Sequence, residues 1–200
     1  MQKYIPNPYL ISRRKFDFRV YALLTYNYIP QLGGPPIKLL RGYFYEEGYL
    51  RTSCKEFTLK SIHNKYVHLT NDAVQKYSQD YGKFENGNKV SYEDFKNLLM
   101  KERNVDFNEV ILTQIKQKIK ETFEAAGPNL VGEIRYDYNG FELMGFDFML
   151  DADLKLYMIE CNTNPCLETA QSILLQRLIP NVLDQTCKIA VDPFLRANEQ

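Results

Sequence analysis

Residues 141–162 read FELMGFDFMLDADLKLYMIECN. Two apolar runs, 141–150 and 154–161, flank Asp151-Ala152-Asp153, the pattern of an antiparallel hairpin. Side chains alternate across a strand, so Glu160 and Asn162 share a face if the strand continues through Asn162. In a hairpin centred near Ala152, Asp147 on the partner strand approaches the same end of that face. A carboxylate set among the apolar side chains of GFDFML is costly to bury unless its charge is balanced. Two ways of balancing it are open. A divalent cation such as Mg²⁺ takes hard oxygens of the kind that Asp147, Glu160 and Asn162 carry, and it also holds phosphates because it keeps few protein ligands. Alternatively, Asp147 pairs with a core arginine and Glu160 sits at a strand end in water.

Outward from the hairpin the chain alternates irregularly between strand and helix patterns. Residues 1–14 hold Pro6 and Pro8 and read as an extended lead-in. Residues 16–26, FDFRVYALLTY, predict a strand. Gly33-Gly34-Pro35-Pro36 marks a loop, and two short strand-like runs, KLLRGYFY and GYLRTS, follow over 37–53. Tyr66–Thr70 is a further strand candidate, and 78–90 reads as a solvated loop. Ser91 with Asp94 resembles a capping box and opens a helix at about 92–101. A second helix over about 107–125 places Phe107, Val110, Ile111, Ile115, Ile119 and Phe123 at three- and four-residue steps, with Gly127-Pro128 expected to end it. A last helix covers about 168–190, where Pro180 is expected to kink or split it. Strands first, then helices, a hairpin and a helix make an α+β layout, not a regular βαβ alternation.

Composition narrows the function. The 200 residues carry 25 Lys+Arg against 25 Asp+Glu, and zero net charge argues against nucleic acid or an acidic membrane as the main partner. A hydrophobic share of 44% with 14% aromatic suffices for one sizeable core and excludes global disorder. No apolar run approaches the ~20 residues of a membrane span. The leading MQKYIPNPYL lacks the apolar centre of a signal peptide, so a cytoplasmic location is expected. Cys54, Cys161, Cys166 and Cys187 show no C-x-x-C spacing, and His63 and His68 are the only histidines, so a zinc site is not expected.

Three further groups of residues carry chemistry. Lys15, Asp17 and Arg19 fall at two-residue steps and present plus, minus, plus on one strand face. Such a row suits a polyphosphate and a ribose hydroxyl, and equally an edge strand with ordinary ion pairs. His68-Leu69-Thr70-Asn71 offers a hydroxyl and an amide to a ligand, or serves as a turn or helix cap. Arg51 in GYLRTS either grips a carboxylate bidentately or makes a surface pair.

Taken together, QKYI at 2–5, RKFDFRVY at 14–21, GYLRTS at 48–53, HLTN at 68–71 and FELMGFDFML…LYMIECNTNPCLE at 141–168 resemble the tubulin-tyrosine-ligase-like family, in that order. The resemblance implies the ATP-grasp fold and a ligase that uses ATP and Mg²⁺ to join an amino acid to a tubulin carboxylate through an acyl phosphate. By it, Gln2, Lys3, Tyr4 and Ile5 line adenine, and Lys15, Asp17, Thr70 and Asn71 contact the nucleotide. Arg19 faces the reacting phosphate and acyl group, while Arg51 and Lys89 hold the incoming amino acid. Asp147, Glu160 and Asn162 match the Mg²⁺ ligands. Glutamate stands first as the amino acid, with glycine and tyrosine open. Asp72 follows HLTN where glutamate-adding members commonly carry Tyr. Residues 1–193 are expected to form a partial catalytic domain, the C-terminal lobe without the N-terminal one, and 194–200 a tail. Implied partners are tubulin or microtubules and a free amino acid, with neither nucleic acid nor membrane. The implied setting is the cytoskeleton, including a cilium or basal body. The rival reading is a non-catalytic module that binds nucleotide or tubulin.

Overall fold

The computed structural model describes residues 2–133 and 139–197. In chain order the strands are β1 (Leu10–Ile11), β2 (Arg14–Ile29), β3 (Ile37–Phe44), β4 (Tyr49–Glu56), β5 (Lys89–Ser91), β6 (Gly140–Leu150) and β7 (Leu156–Asn162). One-turn helices α1 (Lys65–His68) and α2 (Asp72–Gln75) separate β4 from β5. Helix α3 (Tyr92–Arg103) follows, then a π-helical turn (Asn108–Leu112) running into α4 (Thr113–Glu133), and α5 (Ile173–Ala190) and α6 (Asp192–Ala197) close the chain.

All the strands belong to one seven-stranded sheet, in which every pairing is antiparallel. Its main path runs β5-β4-β2-β6-β7, and β1 and β3 also pair with β2. The long β2 makes this possible: residues 18–26 pair with β6, while residues 14–19 pair with β4 and residues 22–29 with β3. The mainly antiparallel sheet packed with helices is the α+β arrangement expected of an ATP-grasp-like lobe.

The two faces of β2 differ because its sequence alternates. Phe16, Phe18, Val20 and Ala22 enter the main core with Phe146 and Phe148 of β6, Phe95 and Leu99 of α3, and Ile111, Ile115 and Ile119 of the π-turn and α4. Phe18, Phe95, Phe146 and Phe148 are fully buried, each a gain of about 1.5–3 kcal/mol over an exposed ring. On the opposite face, Tyr21 packs with Tyr49 under Leu175, Leu178, Ile179 and Val182 of α5. Helix α5 thus covers one end of that face, and the charged residues Lys15, Asp17 and Arg19 lie beyond it. Among the described residues the four cysteines are free, and no helix is long and apolar enough to cross a membrane.

Several local expectations need correction. Tyr66–Thr70 is not a strand: Lys65–His68 forms a helical turn because the Asn64 side chain accepts the Tyr66 amide at 3.1 Å. A cap satisfying an orphan N–H outweighs the strand propensity of Tyr and Val. The 78–90 segment is not wholly solvated. Asn88 is buried, donating to the Thr52 carbonyl at 2.9 Å and accepting the Gly82 amide at 2.7 Å, and Lys89 then enters β5. Gly127-Pro128 does not end α4, which continues to Glu133, since one proline removes a single intrahelical bond from a helix already several turns long. Pro180 likewise leaves α5 a single element, anchored by Leu178 and Ile179 before it and Val182 just after.

Candidate functional site

Strand register lines up the charged residues across the sheet. Lys89 of β5 pairs with Arg51 of β4, and Arg51 with Asp17 of β2. Two residues along β2, Arg19 pairs with Asp147 of β6, which in turn faces Glu160 of β7. Cross-strand partners share a face, so these side chains form one row.

The row is knitted by arginine forks. Arg51 donates from Nε to Asp17 Oδ1 at 2.7 Å and from Nη2 to Asp17 Oδ2 at 2.8 Å, and its Nη2 also reaches Asp147 Oδ2 at 2.7 Å. Arg19 holds Asp147 bidentately, Nε to Oδ1 at 2.6 Å and Nη2 to Oδ2 at 3.1 Å. Burial opposes the charge on Arg51, but Asp17 and Asp147 outweigh it and hold the guanidinium well above its ordinary value. Burial likewise pushes the Asp147 carboxyl up, and the hydrogen bonds and charges of Arg19 and Arg51 prevail and hold it below the usual carboxylate value. Arg51 is therefore neither a surface pair nor a free fork.

The nucleotide candidates gather around one cavity of about 400 Å³, a volume that suits a small ligand. Gln2, Lys3, Tyr4 and Ile5 line one side of it, and Lys15, Asp17, Thr70 and Asn71 another, with Arg51, Asp147 and Glu160 on its wall. Gln2 is tied to β7 through its Nε2 and the Ile159 carbonyl at 2.8 Å. The Lys15 ammonium donates to the His68 carbonyl at 3.0 Å and stands 4.7 Å above the Tyr4 ring. Burial lowers the affinity of Lys15 for its proton, against the pull of Asp17. Thr70 donates from its hydroxyl to Asp17, and Asn71 sits at the start of α2 without capping it through its side chain. Arg19, Lys89 and Asn162 do not line this cavity; Arg19 and Lys89 lie behind it in the charged row.

The hairpin brings Asp147, Glu160 and Asn162 together as the alternation requires. Asn162 Nδ2 lies 3.3 Å from Glu160 Oε1 and 3.4 Å from the Gly145 carbonyl. A register shift between Asp147 and Phe148 places an extra residue in β7, so that Ile159 and Glu160 both line the cavity. The arginine alternative holds for Asp147, whose charge two guanidiniums balance. Glu160 also follows that alternative: near the end of β7 it is exposed at the cavity and makes no ion pair among the described residues, which leaves its oxygens open to a cation. Two carboxylates and an amide oxygen at one end of one hairpin are a donor set that fits Mg²⁺. The sequence reading missed Met149, another cavity wall, although the alternation that selects Asp147 also selects it. The Asp72–Lys89 ion pair was not legible either, because α2 and β5 come together only through the folded 78–88 segment.

Comparison with known proteins identifies the family. The chain is 35% identical over 192 residues to tubulin glycylase 3B of Tetrahymena thermophila, covering 96% of this chain and 15% of that protein. It is 38% identical over 171 residues to the probable tubulin polyglutamylase TTLL9 of Bos taurus, covering 86% of this chain and 34% of the relative. The probable tubulin polyglutamylase TTLL2 of Homo sapiens is 32% identical over 192 residues, covering 92% of this chain and 30% of that protein. The chain thus spans about a third or less of the length of these relatives. The model of the tubulin-tyrosine ligase family matches residues 1–199, and the chain belongs to that family.

Proposed function

We propose that this chain supplies the nucleotide- and metal-holding lobe of an ATP-dependent ligase that joins glutamate, glycine or tyrosine to a carboxylate of tubulin. The observation that carries the proposal is the meeting of Asp147 and Glu160, register partners on β6 and β7, at a cavity whose other walls bear Lys15, Arg51 and Thr70. Names of similar proteins, which include a tubulin glycylase and probable tubulin polyglutamylases, support tubulin as the substrate and the cytoskeleton as the setting.

When bound, Mg-ATP would supply the phosphoryl group that activates the carboxylate, with phosphate as the leaving group when the amine of the free amino acid forms the amide bond. Gln2, Lys3, Tyr4 and Ile5 form the wall for the base, and Asp17, Thr70 and Asn71 the polar contacts for the sugar and phosphates. Lys15 offers positive charge to a phosphate from a half-enclosed position where burial strengthens the interaction. Asp147, Glu160 and Asn162 would hold the metal. In this reading Arg19, held by Asp147 in the charged row behind the cavity, is the arginine assigned to the reacting groups, and Arg51 on the cavity wall with its neighbour Lys89 is assigned to the amino acid. Catalysis of this kind is positioning and charge neutralisation, which the rigid sheet provides.

Isothermal titration of Mg-ATP into the chain tests the lobe's role. Binding that needs Mg²⁺ and is lost in Glu160→Gln is the expected result; metal-independent binding, or none, overturns it. Mass spectrometry of tubulin tails after incubation with the chain and each amino acid tests ligation, and binding without added residues favours the non-catalytic module.

A further inference from the structure

Lys15 is 5% exposed, yet its ammonium makes no ion pair among the described residues. One of its three N–H donors goes to the His68 carbonyl at 3.0 Å. A buried charge without a counter-ion is costly, so the cavity that Lys15 lines is suited to an anionic ligand. His68 lines the same cavity, at the end of the one-turn helix α1. Its Nε2 lies 3.0 Å from the Ser61 carbonyl and its Nδ1 2.7 Å from the Tyr4 hydroxyl. A carbonyl only accepts, so Nε2 carries the proton, Nδ1 is the acceptor and the Tyr4 hydroxyl donates to it. The imidazole also meets the Phe57 ring edge-on, with centroids 5.9 Å apart. Tyr4, held at its hydroxyl, keeps its ring 4.7 Å from the Lys15 ammonium. The main chain of one residue thus fixes the cation, and its side chain fixes the aromatic ring beside it.

We infer that His68 is a positioning residue for the nucleotide, its imidazole accepting the Tyr4 hydroxyl so that the ring of Tyr4 and the ammonium of Lys15 are set before the ligand arrives. The inference rests on the nucleotide reading of the cavity and adds a residue to it. Tyr4 belongs to the extended lead-in and is 45% exposed, so little else restrains its side chain. Without the acceptor its ring would sample other rotamers, and ordering it would be charged against binding. The ammonium would also lose the face of an aromatic ring, a favourable contact for a cation. Tyr4 and His68 lie 64 residues apart, so HLTN read by itself shows a cap or a ligand contact and not this tie.

The test is isothermal titration of a non-hydrolysable ATP analogue, with Mg²⁺, into wild type, Tyr4→Phe, His68→Leu, the double variant and His68→Asn. Tyr4→Phe and His68→Leu each remove one end of the same hydrogen bond and should weaken binding about three- to tenfold. The double variant should bind no more than about twofold worse than the weaker single one, because two groups that share one bond are not additive. The asparagine amide oxygen lies two bonds from Cβ, as Nδ1 does, so His68→Asn should stay within about twofold of wild type. Losses that multiply in the double variant, no loss in either single variant, or His68→Asn as weak as His68→Leu each overturn the inference alone. A general loosening of the fold would give multiplying losses and falls under the first of these. Should His68→Leu fail to fold, Tyr4→Phe and His68→Asn decide the matter between them. Absence of binding by wild type overturns the nucleotide reading and this inference with it.

Discussion

Asp147 and Glu160 face each other across β6 and β7, yet one is buried between two arginines and the other is exposed without an ion pair. The two carboxylates should therefore answer mutation differently. Asp147→Asn leaves Arg19 buried beside a neutral amide, and we expect a loss of about 3–5 kcal/mol in urea unfolding. Glu160→Gln should change stability by no more than about 0.5 kcal/mol while removing Mg²⁺-dependent nucleotide binding. Equal destabilisation by both would refute the asymmetry.

The same carboxylate predicts an acid dependence. Arg19 and Arg51 hold the folded-state value of Asp147 below its unfolded value, which lies near 3.9. Its contribution is therefore complete above the unfolded value and is lost as pH falls through the folded one. Urea midpoints measured down the acid limb should fall more steeply in wild type than in Asp147→Asn. Parallel curves would show that other carboxylates dominate.

Gly127 lies inside α4 immediately before Pro128, and a methyl group there would meet Leu40 at 3.7 Å, an ordinary contact. Gly127→Ala should nevertheless bring no more than about 0.5 kcal/mol of change, since the backbone freedom that alanine saves is offset by its Cβ meeting the Pro128 ring in a helical conformation. The shift in urea midpoint at constant m-value reads it directly.

Gly87 has φ near +60° and stands against the Gln171 carbonyl, where a Cβ would overlap. Its carbonyl also receives Lys89. Gly87→Ala should cost about 1–3 kcal/mol and expose the 78–90 segment to limited proteolysis, ahead of global unfolding. Cleavage there no faster than in wild type would be the contrary outcome.

Much of this architecture is legible in the chain because its strands carry aromatic and β-branched residues in strict alternation. FDFRVY places Phe16, Phe18 and Val20 in the core and Asp17 and Arg19 on the polar face, as the pattern requires. Hairpin 141–162 was readable for the same reason, including the approach of Asp147 to Glu160. What pattern could not supply was the choice of counter-ion. Arg19 and Arg51 are far from Asp147 in sequence, and only register brings them to it. Local chemistry also overrode propensity where a side-chain cap was available, as at Asn64, and where tertiary clips drew in a polar loop, as at Asn88.

The central strand has a consequence for how the site comes into being. Arg19 lies 128 residues ahead of Asp147 in the chain, and β2 pairs with β6 along residues 18–26. During synthesis the arginine emerges long before its counter-ion, so the charged row stays incomplete until the final hairpin docks. Nascent chains halted ahead of residue 147 would carry the arginines of β2 and β4 without that shared anion, and the charged row would close only once β6 has been made.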